Sequence, residues 1–429
     1  MVRYYKKAIA VINVTILLST LNCKQDLKKE KDNSFTPLMM NTTASGPTGG
    51  SSSGGISVDP AMFQLALDDA RIQAGTKSIS AAIVLGDGKE LTAVSNEEGD
   101  PDAVTSDMNF SVASVTKMFI AACVIKLVEE KKLSFDDTLQ KLLYDPNIPD
   151  TKHKLNSSFS SKIAPLIRVK DLLHHTTGID DFLGDQYYVD IAYNVYDKWT
   201  PVEILGYVTS PNYTYDSDNP ENNLFAYSNT DYILLGMIIE NVSNKKVFSV
   251  VSDYFLKPLK MNSTYMVGVD PYWGLTSIPD PKAIGFEYYD ETVGGWVKTS
   301  TIVDVDAFAL YTSTWTSGNM RSTAIEMARW AKYYYHYQFD KGYLNNDALK
   351  SCFIISQYLS KKKYGYGIEY FKHYNGYEFW GHTGTIAGFR SLVFYLPKKD
   401  ISIALLFNEH RPDRWEVFDL MLKYIDANL

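Results

Sequence analysis

Three short runs carry residue types that could open a carbonyl compound: Ser114-Val-Thr-Lys117, Tyr227-Ser-Asn229 and His382-Thr-Gly384. A serine hydroxyl is a poor nucleophile without a neighbouring base. An amine three residues further along a helix shares the hydroxyl's face and can stand beside it. The start of that helix adds unpaired N–H groups and a positive dipole end, which suit a developing oxyanion. A tyrosine whose pKa is lowered by a nearby ammonium can act as general base. The Ser-x-x-Lys spacing alone says little, since about two such tetrads arise by chance in a chain of ordinary composition. Ser243-Asn-Lys-Lys246 and Ser360-Lys-Lys-Lys363 repeat it and read as solvated loops.

The elements around the three runs separate them from these repeats. Val115 to Val128 is apolar on nearly every side, the mark of a buried helix, and Ser114 stands at its start. Tyr227 and Asn229 precede a second strongly apolar helix, so a short turn there can project both into a cleft; the bland alternative is a surface turn. Gly381 to Gly388 lies among β-type patterns, where small residues let a ligand backbone approach.

Folded structure is expected from about Val58. Asp59-Pro60 with Phe63, Leu65, Leu67 and Ile72 reads as a capped amphipathic helix. Ser78 to Leu85 and Glu90 to Val94 read as a hairpin across Gly86-Asp-Gly88. Tyr364 to Ile368 and Tyr377 to Gly381 read as strands, Ser391 to Leu396 and Ile401 to Asn408 as a hairpin, and 412–429 as a closing helix. Residues 130–316 show mostly helical patterns. Lys170 to Gly178 reads as a helix ending at its glycine. It carries adjacent His174 and His175, which do not face each other and have no further ligand at metal spacing, so packing and capping are expected of them.

The 429 residues carry a net charge of −8 and no basic run, which argues against a nucleic-acid partner. Cys23, Cys123 and Cys352 are too few for a disulfide framework, and the latter two read as free. Arg3, Lys6 and Lys7 precede an apolar stretch, Ala8 to Leu18, shorter than the roughly 20 residues that span a bilayer, so 1–22 reads as a signal peptide. Cys23 follows in a context similar to a bacterial lipoprotein signal, with Thr20 where Leu is usual. Residues 24–57 are charged, then rich in Ser, Thr, Gly and Asn, a tether able to reach some 30 Å from a membrane. The expectation is an exported protein, anchored through Cys23 to a bacterial membrane as a periplasmic or surface lipoprotein. Plain secretion is the alternative.

Taken together, the three runs in this order resemble the motifs of the serine β-lactamase and penicillin-binding-protein clan, above all its class C β-lactamase-like family. That family includes D-Ala-D-Ala carboxypeptidases and esterases. Leu127 to Asp137, Leu172 to Gly178, Pro258 to Met261 and Gly318 to Thr323 are also similar to family segments. The resemblance implies an α+β fold with an antiparallel sheet flanked by helices, built from about 58–111 and 317–429. A mostly helical part, about 112–316, would be inserted, with the site in the cleft between the two. It implies that Ser114 is acylated and that Lys117 and Tyr227 handle its proton. The N–H groups of Ser114 and Thr385 would form the oxyanion hole, and Asn229 would orient substrate and Lys117. His382, Thr383 and Gly384 would line the opposite wall, His382 and Thr383 holding a substrate carboxylate. Neither a cofactor nor a metal is implied.

β-Lactamases usually carry Lys where His382 stands, and a histidine is charged only part of the time near neutral pH. This ranks a D-Ala-D-Ala carboxypeptidase or esterase, acting on a peptidoglycan-like peptide or small ester, above a β-lactamase. A rival of another class is a non-catalytic surface lipoprotein that binds through Tyr-rich stretches such as Tyr187 to Tyr196 and Tyr333 to Tyr337; core packing is the blander account of those tyrosines. A fluorescent penicillin or fluorophosphonate is expected to label the protein, and Ser114→Ala to abolish labelling. Undiminished labelling of the variant would remove Ser114 from its role.

Overall fold

The computed structural model describes residues 59–429 except 194–197, 213, 268–280, 290–294, 299–307, 345–348, 352–358, 374–375 and 410–412. The expected signal peptide, Cys23, the tether, Tyr196 and Cys352 therefore lie outside the described residues.

The chain enters through α1 (Pro60–Ala74), with Asp59 accepting from the Ala61 N–H at 2.9 Å and Pro60 in the first turn. Gly75 ends it in the left-handed conformation. The buried stripe is Phe63, Leu67 and Ala70; the expected Leu65 and Ile72 face solvent. Strands β1 (Ser78–Val84) and β2 (Glu90–Asn96) form the expected hairpin. The short strand β3 (Phe110–Ser111) leads to a 3-10 turn, Ala113–Val115, and then to α2 (Thr116–Glu129). From Thr116 to Ile125 every residue of α2 is buried, as its uniform apolarity requires.

The next part holds α3 (Val169–His174), α4 (Asn229–Ser243) and α5 (Phe308–Gly318), with short helices between them. It also holds three strands that the helical reading passed over: β4 (Tyr265–Met266), β5 (Phe286–Tyr289) and β6 (Gly295–Lys298). Helix α3 stops at His174, four residues before the expected Gly178, because His175 itself takes the left-handed cap position.

After β7 (Met320–Ser322) and α6 (Ala324–Asp340), the chain returns to the sheet through β8 (Lys350–Ser351), β9 (Leu359–Tyr364), β10 (Glu369–His373), β11 (Glu378–Ile386), β12 (Phe389–Leu396) and β13 (Ile401–Phe407), and closes with α7 (Arg414–Asn428). The main sheet is antiparallel in the order β2-β1-β13-β12-β11-β10-β9-β8. Helices α1 and α7 cover one face, burying Phe63, Phe418 and Met421 with Ile83, Phe394 and Leu405; α6 covers the other. Two expectations change here. Residues 365–368 form a turn rather than a strand, with Gly367 at φ +62°. Ser360 to Lys363 belong to β9, not to a solvated loop. Tyr334 and Tyr335 pack into the core, so at least these members of the tyrosine run are structural.

A second, small sheet, β3-β7-β4, ties the turn before Ser114 to distant chain. Helix α5 is broken at Trp315 (φ 31°, ψ −121°), and it packs on α4 at Gly236. A Cβ on Gly236 would stand 2.5 Å from Thr316 Oγ1 and 2.9 Å from the Trp315 ring, so only glycine lets the helices approach this closely. Gly236→Ala is expected to cost about 1–3 kcal/mol by overpacking, read as a lowered denaturation midpoint. An unchanged midpoint would mean that this contact is slack.

Candidate active site

Ser114 sits in the 3-10 turn between β3 and α2, half-buried, while its neighbours are buried. Ala113 just before it adopts φ +50°, a conformation costly for a residue with a Cβ. The strain is held by bonds on both sides. Val112 N–H donates to Met320 O at 3.0 Å, and Thr116 Oγ1 donates to Ala113 O and accepts from the Met320 N–H.

Lys117 is 0 % exposed. Its Nζ lies 3.1 Å from Ser114 Oγ, 2.7 Å from Asn229 Oδ1 and 2.7 Å from the Ser317 carbonyl. A neutral amine could give its two protons to Asn229 and Ser317 and turn its lone pair to the Ser114 hydroxyl; an ammonium could donate to all three oxygens. Tyr227 O–H reaches Ser114 Oγ at 3.0 Å, and Lys117 Nζ lies 5.0 Å from the centre of the Tyr227 ring. Asn229 is oriented by Asp181, whose carboxylate accepts from both its Nδ2 (2.9 Å) and its backbone N–H (3.3 Å). Desolvation raises the pKa of Asp181 against these hydrogen bonds and the Lys117 charge.

The opposite wall is β11. A Cβ on Gly384 would stand 2.2 Å from Val112 O and 2.3 Å from Ser391 Oγ, so this glycine lets the strand lie against the Ser114 turn. Strand β10 pairs with β11 from Glu378 to Gly381. Beyond that, Thr383 N–H points to the same side and donates to Glu369 Oε2 at 3.0 Å. The two-residue alternation of a strand directs the Thr385 N–H to that edge too. Arg414, at the start of α7, donates to Gly384 O and to Thr385 Oγ1.

His382 departs from the expected carboxylate contact. Its ring is 1 % exposed, with Nε2 3.0 Å from Tyr364 OH and Nδ1 against the Thr383 carbonyl. Nδ1–H donates to the carbonyl, and Nε2 accepts from Tyr364. Desolvation, against the pull of Glu369, takes its pKa down to about 4, so the ring is neutral. Lys117 and Lys362 are cations near it, and Lys362 pairs with Glu369. Desolvation opposes ionisation of Glu369, but its neighbours, Lys362 foremost and the Thr383 N–H among them, together lower the carboxyl's pKa.

The structure thus brings Ser114, Lys117, Tyr227 and Asn229 into direct contact and sets β11, with Thr383 to Thr385, beside the serine turn. It adds the Ser317 carbonyl, Asp181, Tyr364, Glu369 and Arg414, which the motifs did not mark. A backbone carbonyl has no side-chain signature, and lone charged or aromatic residues far along the chain carry no spacing signal. No group of His, Cys, Asp and Glu fit to hold a metal occurs among the described residues, and Cys123 is buried and free.

The Beta-lactamase family model matches residues 68–423. The chain belongs to the β-lactamase family. It is 24 % identical over 300 residues to Protein flp of Staphylococcus aureus strain MW2, covering 70 % of this chain and 52 % of flp, so it spans about half the length of that relative. Two solved structures share the fold. The D-stereospecific amidohydrolase from a Streptomyces species is 24 % identical, with a TM-score of 0.63 over 84 % of this chain and 98 % of its own. The D-amino acid amidase from Ochrobactrum anthropi SV3 is 22 % identical, with a TM-score of 0.65 over 86 % and 98 %. The family and fold agree with the resemblance drawn from the three motifs, and make this chain a serine-hydrolase relative.

His382 and His174, both buried and both lowered to about 4 chiefly by desolvation, bind protons more readily in the unfolded chain. Stability is therefore expected to hold above about pH 6.5 and to fall as pH drops towards 4, the window in which only the unfolded imidazoles charge. Chemical denaturation across pH 4–7 checks this. His382→Gln should flatten the slope, and an unchanged slope would show that His382 titrates normally.

Proposed function

We propose that this chain is an exported serine hydrolase that forms an acyl-enzyme at Ser114. Its substrate would be a D-Ala-D-Ala-type peptide, a D-amino acid amide or a small ester. The observation that carries the reading is the meeting of Lys117 Nζ and Tyr227 OH at one oxygen, Ser114 Oγ. Ser114 attacks the carbonyl, and its proton passes to the Lys117–Tyr227 pair. The oxyanion is received by the N–H groups of Ser114 and Thr385, a contribution of about 3–4 kcal/mol per donor in comparable sites. The same pair returns the proton to the leaving amine or alcohol, and water releases the acyl group. Which of the two takes the proton first is a property of the coupled pair rather than of either residue.

The neutral, buried His382 bears on the ranking of substrates. A β-lactam and a D-Ala-D-Ala peptide each bring a carboxylate, and this wall offers neither of them a histidinium, so the uncharged amides and esters gain most. The names of the two solved relatives, an amidohydrolase and an amidase specific for D-configured compounds, add the amide class to the peptides and esters. Export and a lipid anchor at Cys23, followed by a tether, fit a substrate met outside the cytoplasm, such as the peptide of a cell wall.

A panel of D-Ala-D-Ala peptide, D-amino acid amide, p-nitrophenyl ester and nitrocefin tests the reading. The best of the first three is expected to exceed nitrocefin in kcat/KM by at least about 100-fold, equivalent to roughly 3 kcal/mol of transition-state binding. Nitrocefin as the best substrate would reverse the ranking.

A further inference from the structure

The loop that carries Tyr227 is held by a residue outside the three motifs. His175 grips it on both sides of the tyrosine. Its carbonyl accepts the Ala226 N–H at 2.8 Å, and its ring Nδ1 accepts the Ser228 N–H at 3.3 Å. Between these two bonds the imidazole lies under the phenol, ring centroids 4.3 Å apart and planes tilted by 39°. The same ring touches Tyr364 and Tyr232, at 4.8 and 5.1 Å. We propose that His175 is the positioning residue for Tyr227, setting the phenol oxygen against Ser114.

The ring's own hydrogen bonds keep it in place. Nδ1 also lies 2.9 Å from Asp231 Oδ2, and Thr177 Oγ1 donates to Asp231 Oδ1 at 2.6 Å. Nδ1 cannot accept from Ser228 and donate to Asp231 at once. Desolvation drives the Asp231 carboxyl well above its usual range and the His175 imidazole well below its own, the latter helped by the Lys117 charge. Burial thus works against charge on both partners, beneath a tyrosine whose ring centre lies 5.0 Å from the Lys117 amine.

Stability is a poor explanation for histidine at this position. The residue is 0 % exposed and sits at φ +55°, which glycine or asparagine adopts at less cost. Among the described residues its Nε2 has no hydrogen-bond partner, and a buried unbonded N–H is unfavourable. What the imidazole supplies, and a small residue cannot, is a flat surface under the phenol together with an acceptor for Ser228. Asparagine would place a polar atom near Nδ1 and tolerate the backbone, but it would lack the ring.

The kinetic arm of the test rests on the hydrolase reading; a spectroscopic arm does not. With the best substrate of the panel, His175→Ala is expected to lower kcat per titratable Ser114 by about 10- to 100-fold, with KM within about threefold, the magnitude of a misplaced proton-transfer group. His175→Asn should recover part of that loss. In a Tyr227→Phe background His175→Ala should cost little more, because the two act as one unit. Additive losses, or a fall explained wholly by fewer titratable sites, would overturn the proposal. Independently of turnover, the ¹³Cζ resonance of Tyr227, assigned through Tyr227→Phe, should shift in both His175 variants. An unmoved resonance in folded His175→Ala overturns the positioning role whatever the enzyme's substrate, whereas a shifted resonance in a protein that turns over none of the panel would sink the hydrolase reading alone.

Discussion

A lysine amine with no exposure to water is the constraint from which the rest of this site follows. Burying such a group is unfavourable unless oxygens replace the lost hydration. Here they come from three places: Ser114 just before the lysine's own helix, Asn229 at the start of α4, and the Ser317 carbonyl near the end of α5. Each arrives by a distinct device. A strained Ala113 turns the serine, Asp181 fixes the Asn229 amide, and the break at Trp315 lies two residues before the carbonyl. Gly236, where α4 and α5 touch, lets the helices that carry two of the three acceptors, Asn229 and Ser317, approach closely.

The second wall depends on a different constraint, the close approach of a strand to a turn. Gly384 brings β11 against Val112, and the end of β10 pairing at Gly381 leaves the next residues' peptide groups directed toward the cleft side. Part of the wall's charge is balanced within itself. Lys362 and Glu369 pair, His382 is neutral, and Tyr364 bonds to it. The cleft also carries the cations Lys117, next to the nucleophile, and Arg414, which bonds Gly384 and Thr385 on the β11 side.

Much was legible before any coordinate. The uniform apolarity of 115–128 announced a buried helix, because a helix without a polar side has no face to give to water. The hairpins at 78–94 and 391–408 were marked by their turns, and Asp59-Pro60 by capping chemistry. The errors share a cause. His175 ends α3 in a conformation usually left to glycine, so the stop signal was sought at Gly178. Ser360 to Lys363 looks solvated because it is so charged, yet Lys362 folds inward onto Glu369 within β9. Leu65 and Ile72 fit an apolar list but not the face that α1 turns to the sheet.

Sequence by itself determined which side chains carry the chemistry: a serine with a lysine one helical turn on, a tyrosine before a helix, and a glycine-rich strand. Those choices are local, since spacing on a helix or strand decides which residues share a face. Tertiary structure decided how those groups are charged and aimed. His382 is neutral because β11 buries it. Tyr227 points at Ser114 because its loop is bonded to His175, 52 residues earlier in the chain. Burial and long-range hydrogen bonds belong to the folded arrangement and leave no periodic trace in the chain, so these properties appear only when the distant segments meet.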